Sequence, residues 1–499
     1  MADTSALEEE LKLELSPYDA DLLADLLTDL LADCGLAGGA PRLVSQESTY
    51  FDTPDHALAR AGLSLRVRRS GRRHKQTIKA DGSAAGMLVR SEWEREIAGN
   101  QPVLDDDNPV TALLGHRTAL LAPVFVVENE RRVWNRDGIE IALDQGRIVA
   151  GERLAPLCEV ELERKGAALD ALFALAREIE ARVPARICVL SKAERGYRLL
   201  AAAAPAPKAG RIRLTPQMSV ADSLALIVGH CLGHFHRNLP ALLDHGDAHA
   251  LHQARVAIRR LRSALSLYRP VVRDPRKVAR FQRDLQWLAG KLGAMREIDV
   301  LLANDDDPEA LAPLCAARRK AAGEAAAALR SKRCRLLMLD LAEWIAIGRW
   351  RRAAPEAAPG ELSLGAFAAA VLTRRRKILR KRGRHLAGLG DEARHDVRKA
   401  AKKLRYAADF FAALYPQERE GRRARRFVAR VERLQERLGT LNDRVTAPAV
   451  RARLGLAPRR GPTADAEKAE QAEQAEQARL LRAAAKDYDE FATARPFWR

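Results

Sequence analysis

Along residues 6–200, apolar and charged positions alternate with a period of two. Glu8, Glu10 and Lys12 alternate in LEEELKLEL, and Arg66 and Arg68 alternate with Leu65 and Val67 in LSLRVRRS. Glu92 and Glu94 flank Trp93 in RSEWERE, and Glu159, Glu161 and Glu163 alternate with Val160 and Leu162 in CEVELERK. Successive strand side chains point to opposite faces, so each charged set projects from one face. One such strand reads as the wet face of an antiparallel sheet. Two acidic strands, a basic one and a mixed one predict something else. Lys79 in QTIKA and Arg131 in ENERRVW add further charge at strand-like sites. The pattern predicts a wet barrel lumen lined by charge, with apolar faces turned outward against helices.

Further strands are expected in RLVSQESTYFDT, PVFVVENERRVW and IEIALDQGRIV, and helices at 17–35 and about 167–183. Many antiparallel strands with few helices suit a closed barrel. The predicted fold class is therefore α+β: an antiparallel β tunnel with flanking helices, then an all-α bundle. The boundaries expected are 6–202 for the tunnel domain, 203–215 for an Ala/Pro-rich linker and 216–450 for the helical domain. A polar low-complexity helical tail is expected at 455–499, with no chemistry assigned to it.

The helical half contains a repeat. HQARVAIRRLRSAL starts at His252 and HDVRKAAKKLRYAA at His395, and KLGAMREIDVL and RLGTLNDRV follow about 40 residues after each. The copies span about 216–305 and 362–450 and predict a pseudo-two-fold bundle. His252, Arg255, Arg259 and Arg262 fall on one helix face, and His395, Arg398, Lys402 and Arg405 repeat that spacing. Packing alone would repeat the apolar positions, whereas here the basic ones repeat too. Two such stripes could form one extended basic groove.

Charge changes the picture further. Residues 1–200 carry 26 Lys and Arg against 33 Asp and Glu, whereas the remainder carries 59 against 33. A mildly acidic half is thus joined to a strongly basic one, which should attract a polyanion. Scarce aromatics argue against base-stacking nucleic-acid recognition. The six cysteines include no CxxC pair, so neither a zinc knuckle nor a redox motif is indicated. No signal-peptide pattern and no long apolar run stand out, which leads to an expectation of a cytoplasmic protein with no membrane span.

The first half resembles the CYTH family, the triphosphate tunnel metalloenzymes. The resemblance rests on Glu8-x-Glu10-x-Lys12, YFDTPD, LSLRVRR, QTIKA, RSEWE, ALDQGRIVAG, EVELE and SKAERGY, in that order. The second half resembles the CHAD domain through its two His-led basic helices and the LGAMREID and LGTLND segments. The joint arrangement is similar to bacterial CYTH–CHAD proteins. The second repeat has Lys402-Lys403 where the first has Arg259-Arg260, which keeps the charge but loses the planar guanidinium fork.

The resemblance implies an eight-stranded tunnel that hydrolyses a triphosphate with Mg²⁺ or Mn²⁺. Lys12, Arg66, Arg68 and Lys79 would be catalytic and contact the phosphates, with Arg131 and Lys192 as further phosphate contacts. Arg132 lies beside Arg131 on the opposite strand face. Glu8, Glu10, Glu159 and Glu161 would bind metal, with Glu163 and Glu94 nearby. It also implies that the CHAD half binds inorganic polyphosphate through His252, Arg255, Arg259, Arg262, His395, Arg398, Lys402 and Arg405. The expected activity is hydrolysis of inorganic triphosphate to diphosphate and phosphate. Adenylate cyclase or another organic triphosphatase is the alternative within enzymes, and a non-catalytic protein that targets polyphosphate granules is the alternative outside them.

Overall fold

Strand pairing closes a barrel. The computed structural model describes residues 6–16, 20–33, 41–80, 89–105, 108–201, 206–303, 308–348, 350, 363–456 and 464–498. Among them, nine strands form one antiparallel sheet: β1 Ala6–Glu14, β2 Arg42–Asp52, β3 Leu63–Ser70, β4 Arg73–Ala80, β5 Val89–Ile97, β6 Ala122–Arg136, β7 Ile139–Ala150, β8 Arg153–Arg164 and β9 Arg186–Ile187. Strand β1 pairs with β5 through Ala6–Glu9 and with β8 through Glu10–Glu14, so the order β5-β4-β3-β2-β6-β7-β8-β1 closes on itself. The two residues of β9 add to β1 at Leu13 and Glu14. The β6–β7 hairpin turns on Asp137–Gly138, both at positive φ (49° and 77°). That is the pair of left-handed residues a two-residue hairpin needs to match strand twist.

The outward positions make the core. Leu11, Leu13, Ile141, Leu143, Val160 and Leu162 are buried against Leu172, Phe173, Ala176 and Ile179 of a helix at Leu169–Arg182. Each buried Leu, Ile, Val or Phe side chain contributes roughly 1.5–3 kcal/mol by leaving water. The helices of this first unit, in chain order, are α1 Ala20–Asp33, α2 Ala57–Arg60, α3 Pro109–Leu114, α4 Leu169–Arg182 and α5 Lys192–Leu200.

The second unit is helical: α6 Val220–His245, α7 Ala248–Leu267, α8 Pro275–Leu302 and α9 Pro308–Arg330 precede a helix, α10 Lys332–Ile347, that does not belong to it. Helices α11 Leu364–Arg382, α12 Asp391–Phe411, α13 Glu418–Arg453 and α14 Ala464–Thr493 complete the second unit. The two His-led motifs lie on α7 and α12, and the two LG-led motifs on α8 and α13. The order α6-α7-α8 therefore recurs as α11-α12-α13.

Two features depart from the sequence reading. Residues 332–347 fall inside the stretch expected to be the helical domain, yet α10 folds with the barrel unit. Its Leu339 and Ala342 join the core beside α4. Arg177 of α4 reaches Asp340 at 2.6 Å and also bonds Glu343, while Arg335 meets Glu180 at 2.8 Å. The tail is also not polar to its end. Phe491, Phe497 and Trp498 are buried around Phe427 of α13, with ring centroids 5.9, 5.7 and 5.1 Å away. Residues 203–205 of the expected linker and 457–463 of the tail lie outside the described residues.

Leu339 is 3% exposed. Leu339→Ala should cost the barrel unit about 2–5 kcal/mol by leaving a cavity. Hydrogen exchange by mass spectrometry checks this: protection should fall in α4, β8 and β9 and stay unchanged in α7 and α12.

Candidate functional site

The inward positions gather charge of both signs. Arg131 opposes Asp144 across β6 and β7, Asp144 opposes Glu159 across β7 and β8, and Lys12 opposes Glu161 across β1 and β8. Carboxylate oxygens of Asp144, Glu159 and Glu161 lie within 4.8 Å of one another. Asp144 and Glu159 are fully buried. Lys192, Lys12 and Arg131 brace this acidic cluster. Lys192 Nζ, from α5, sits 2.7, 2.6 and 2.8 Å from Asp144, Glu159 and Glu161. Lys12 Nζ lies 2.9 Å from Glu161, 3.3 Å from Glu159 and 3.9 Å from Glu10. Arg131 donates through Nε and Nη2 to Asp144 at 2.7 and 2.6 Å and through Nη2 to Glu161. Its neighbour Arg132 faces the other way, 3.7 Å from Asp21.

These contacts fix the charge states. Burial raises the Glu161 pKa, but Lys12, Lys192 and Arg131 outweigh it and hold the carboxyl well below its usual range. Burial likewise opposes the charge on Asp144 and on Lys192, and in each case the opposite charges around it win, leaving Asp144 lowered and Lys192 raised.

Across the lumen, β3 brings Arg66 and Arg68. Arg66 is 3.8 Å from Glu92, which also lies 3.2 Å from Lys79. Arg68 is different. Both arginines bury an Nε without a hydrogen bond, but no carboxylate among the described residues forms an ion pair with Arg68 as Glu92 does with Arg66. Burial and the neighbouring Arg66 and Arg131 push its pKa down to about 10. A guanidinium held close to other cations, without its own counter-charge, is a ready anion site.

The structure redraws the expected metal set. Glu159 and Glu161 belong to the acidic cluster, and Glu10 stands at its edge. Asp144 is the ligand candidate that sequence reasoning missed. Glu94 instead accepts from Thr77 at 3.1 Å and pairs with Lys75, and Glu163 pairs with Lys165 at 2.5 Å. The Glu8 side chain lies outside the described part of the structure, although its backbone pairs with Arg90. The donor set fits a hard divalent cation, which takes carboxylate oxygens. Glu159 Oε2 is buried and accepts no hydrogen bond, and its cationic neighbour is Arg195 Nη2 at 3.5 Å.

The lumen is not wet throughout, as the alternation had suggested. Tyr50, Phe125, Val127, Ile148 and Leu157 share inward-facing parity with Arg66, Asn129, Asp144 and Glu159, and they pack together with Ala193 of α5. Arg195, also of α5, lies 3.0 Å from Glu14 and 3.5 Å from Glu159.

In the helical unit, Arg255, Arg259, Arg398 and Lys402 of α7 and α12 crowd together. Burial with Arg398, Arg259 and Arg255 nearby pushes Lys402 down to about 7, and burial with Arg259, Arg296 and Arg398 pushes Arg255 to about 10. Glycines stand beside these cations in both repeats. A side chain at Gly293 would press on Arg255 Nη1 at 3.0 Å, whereas one at Gly439 would make only ordinary contact with Arg398 Nε at 3.9 Å. His395 bonds Asn442 at 2.5 Å, and burial with Arg259 and Arg296 nearby pushes His252 down to about 4. A cavity of about 660 Å³ continues past Arg259, Arg262, Lys402 and Lys403, with Val272 and Val278 also on its wall. Arg405 instead pairs with Glu432 at 2.6 Å.

A closed antiparallel barrel with acidic and basic clusters in its lumen, followed by a helical repeat bearing basic stripes, defines a two-domain architecture. Residues 6–197 match the CYTH domain and residues 226–452 the CHAD domain, so the chain belongs to the proteins that carry a CYTH and a CHAD domain. It is 31% identical over 164 residues to an inorganic triphosphatase of Haemophilus influenzae. That match spans 30% of this chain and 45% of the relative, less than half its length. Among solved structures, the chain is similar to a CHAD domain from the plant Ricinus communis (30% identity, TM-score 0.43, 58% of this chain and 93% of that one). It is also similar to a Hippeastrum protein described as a putative adenylyl cyclase with a dominant triphosphatase activity (18% identity, TM-score 0.29, 38% and 95%). No helix among the described residues is long and apolar enough to cross a membrane.

If Asp144 is a ligand, Asp144→Asn should weaken Mn²⁺ binding at least about tenfold, the lower end of what even an outer-shell change costs. Titration followed by electron paramagnetic resonance measures it, with circular dichroism confirming an intact barrel.

Proposed function

We propose that the CYTH unit hydrolyses inorganic triphosphate to diphosphate and phosphate with Mg²⁺ or Mn²⁺, and that the CHAD unit binds inorganic polyphosphate. One observation carries the first part: Asp144, Glu159 and Glu161 cluster in the same lumen as Arg68, a cation with no ion-pair partner among the described residues. A highly charged phosphate chain with a divalent cation complements both sets.

Asp144, Glu159, Glu161 and Glu10 would hold the cation. It would supply charge neutralisation and polarise phosphate oxygens. Arg66 and Arg68 bind the phosphate chain, Arg by its planar fork, with Lys79 and Lys12 as point charges. Arg131 and Lys192 keep the carboxylates ionised and in place. Water adds to a terminal phosphorus, the bridging P–O bond breaks, and its electron pair leaves with diphosphate. Little covalent work falls to the protein, so positioning and charge stabilisation carry the rate.

Phosphate release tests this with tripolyphosphate, ATP, thiamine triphosphate and long-chain polyphosphate as substrates. Tripolyphosphate should be preferred, and chelation should abolish turnover. Cyclic AMP and diphosphate from ATP, with tripolyphosphate untouched, would replace the reading with a cyclase. Binding without any turnover would replace it with a non-catalytic polyphosphate-binding protein.

The second part rests on the crowded cations of α7 and α12, whose mutual repulsion a polyanion relieves. Such binding should weaken steeply with salt. It should also weaken as pH rises. Lys402 carries its charge below about 7 and loses it above, and a bound polyanion favours the charged form. Polyphosphate affinity should therefore fall about tenfold from pH 6 to 8, one factor of ten per unit beyond the pKa. Lys402→Arg should flatten that dependence. Affinity unaffected by pH and salt would count against the groove. A cytoplasmic protein drawn to polyphosphate granules fits this reading.

A further inference from the structure

Lys192 reaches the acidic cluster from a helix of nine residues, α5. A helix that short has no stability of its own and depends on its docking. Its start is set locally: Ser191 and Glu194 form a reciprocal capping box that makes Lys192 the first helical residue. Arg195 ties it to Glu14 at 3.0 Å, and three further contacts seat it. Ala193 enters the apolar part of the lumen. Gly196 lies so close to Phe125 that a side chain there would come within 2.1 Å of the ring. Tyr197 donates its hydroxyl to Asp52 Oδ2 at 2.7 Å.

Asp52 is a rigid anchor. It is fully buried, and its oxygens accept from the backbone N–H groups of Thr53, Leu58 and Ala59 at 2.7, 2.9 and 3.1 Å. The Tyr197 ring also lies edge-on to Phe125 at 5.2 Å and to His56 at 5.4 Å. Phe125 in turn stacks on Tyr50 at 4.6 Å. A buried carboxylate fixed by three backbone donors thus holds the phenol, and the phenol holds a helix whose first residue sits at the site. Lys192 and Tyr197 are five residues apart, about 7.5 Å along a helix axis, so a small tilt at one end moves the other.

We propose that Tyr197 is a positioning residue for triphosphate turnover: its bond to Asp52 sets α5 so that Lys192 stays over Asp144, Glu159 and Glu161. This rests on the triphosphate reading above. Tyr197 forms no hydrogen bond with the acidic cluster, Arg66 or Arg68, and its direct route to the cluster is the helix it shares with Lys192.

Groups that act through one another give non-additive effects, which a double-mutant cycle measures. The full chain is compared as wild type, Tyr197→Phe, Lys192→Ala and the double variant. Two readouts are taken: tripolyphosphate turnover with Mg²⁺, and tripolyphosphate affinity by calorimetry with Ca²⁺. Tyr197→Phe keeps the ring and loses only the hydroxyl. It should lower kcat/KM about tenfold in the wild-type background and less than twofold once Lys192 is gone. Gly196→Ala should displace the same helix by another route, and adding Phe125→Leu should recover part of the loss. An equal loss from Tyr197→Phe in both backgrounds, or none in either, overturns the latch while wild-type turnover leaves the triphosphatase reading standing. A wild type that binds tripolyphosphate without hydrolysing it overturns that reading instead, and the cycle in affinities then decides the latch. A wild type that does neither overturns both.

Discussion

Everything at the barrel site depends on charge compensation in a closed space. A sheet that curls into a barrel turns half of its side chains inward, and here many of these are ionised. An isolated buried charge is prohibitively costly, so each must find a partner or shed its charge. The lumen answers with a shared lattice rather than separate pairs. Lys192 serves three carboxylates, Arg131 serves two, and Lys12 lies near three. Removing one member leaves several others uncompensated, which for a buried pair costs about 3–5 kcal/mol. Geometry in such a lattice is therefore held stiffly, which is what a reaction driven by placement requires.

The lattice is incomplete at two points. Arg68 lacks an ion-pair partner among the described residues, and Glu159 Oε2 accepts no hydrogen bond and meets Arg195 only at 3.5 Å. A divalent cation would serve the second deficit and a phosphate oxygen the first. A similar shortfall recurs in the helical unit, where Lys402 and three arginines face one another and Lys402 is driven towards neutrality. In both sites neighbouring cations oppose one another's charge, and a multivalent ion of opposite sign is the natural relief.

Much of this was legible in the sequence because period-two charge survives translation into a strand. The Arg66–Arg68 and Glu159–Glu161 pairs face inward as the alternation requires. Asp144 escaped notice for a physical reason. Its inward neighbours on β7 are Ala142 and Gly146, so it stands as a lone carboxylate with no stripe to mark it. Only the register that sets it between Arg131 and Glu159 makes it a member of the cluster. The same limit explains Glu94 and Glu163. Alternation puts them on the charged face, but it does not say how far along the barrel each lies or that Lys75 and Lys165 would claim them. The apolar patch around Phe125 was hidden too, because Tyr50, Phe125 and Val127 read as ordinary strand residues until register turns them inward.

Helix α10 carries the argument about domain limits furthest. Its apolar positions, Leu339 and Ala342, look like those of its neighbours, and nothing local says which core they join. The choice is made by complementarity. Asp340 and Glu343 meet Arg177, and Arg335 meets Glu180, so charges of opposite sign are exchanged in both directions across the seam with α4. A single helix presenting both signs to a face presenting both signs has one favourable orientation, because reversing it would set like charges together. The apolar residues supply the affinity of α10 for the barrel core, and the crossed ion pairs supply its register. The barrel's hydrophobic core is therefore completed by Leu339 and Ala342, about 150 positions beyond its last strand at Ile187, and a boundary drawn from sequence continuity alone would cut through it.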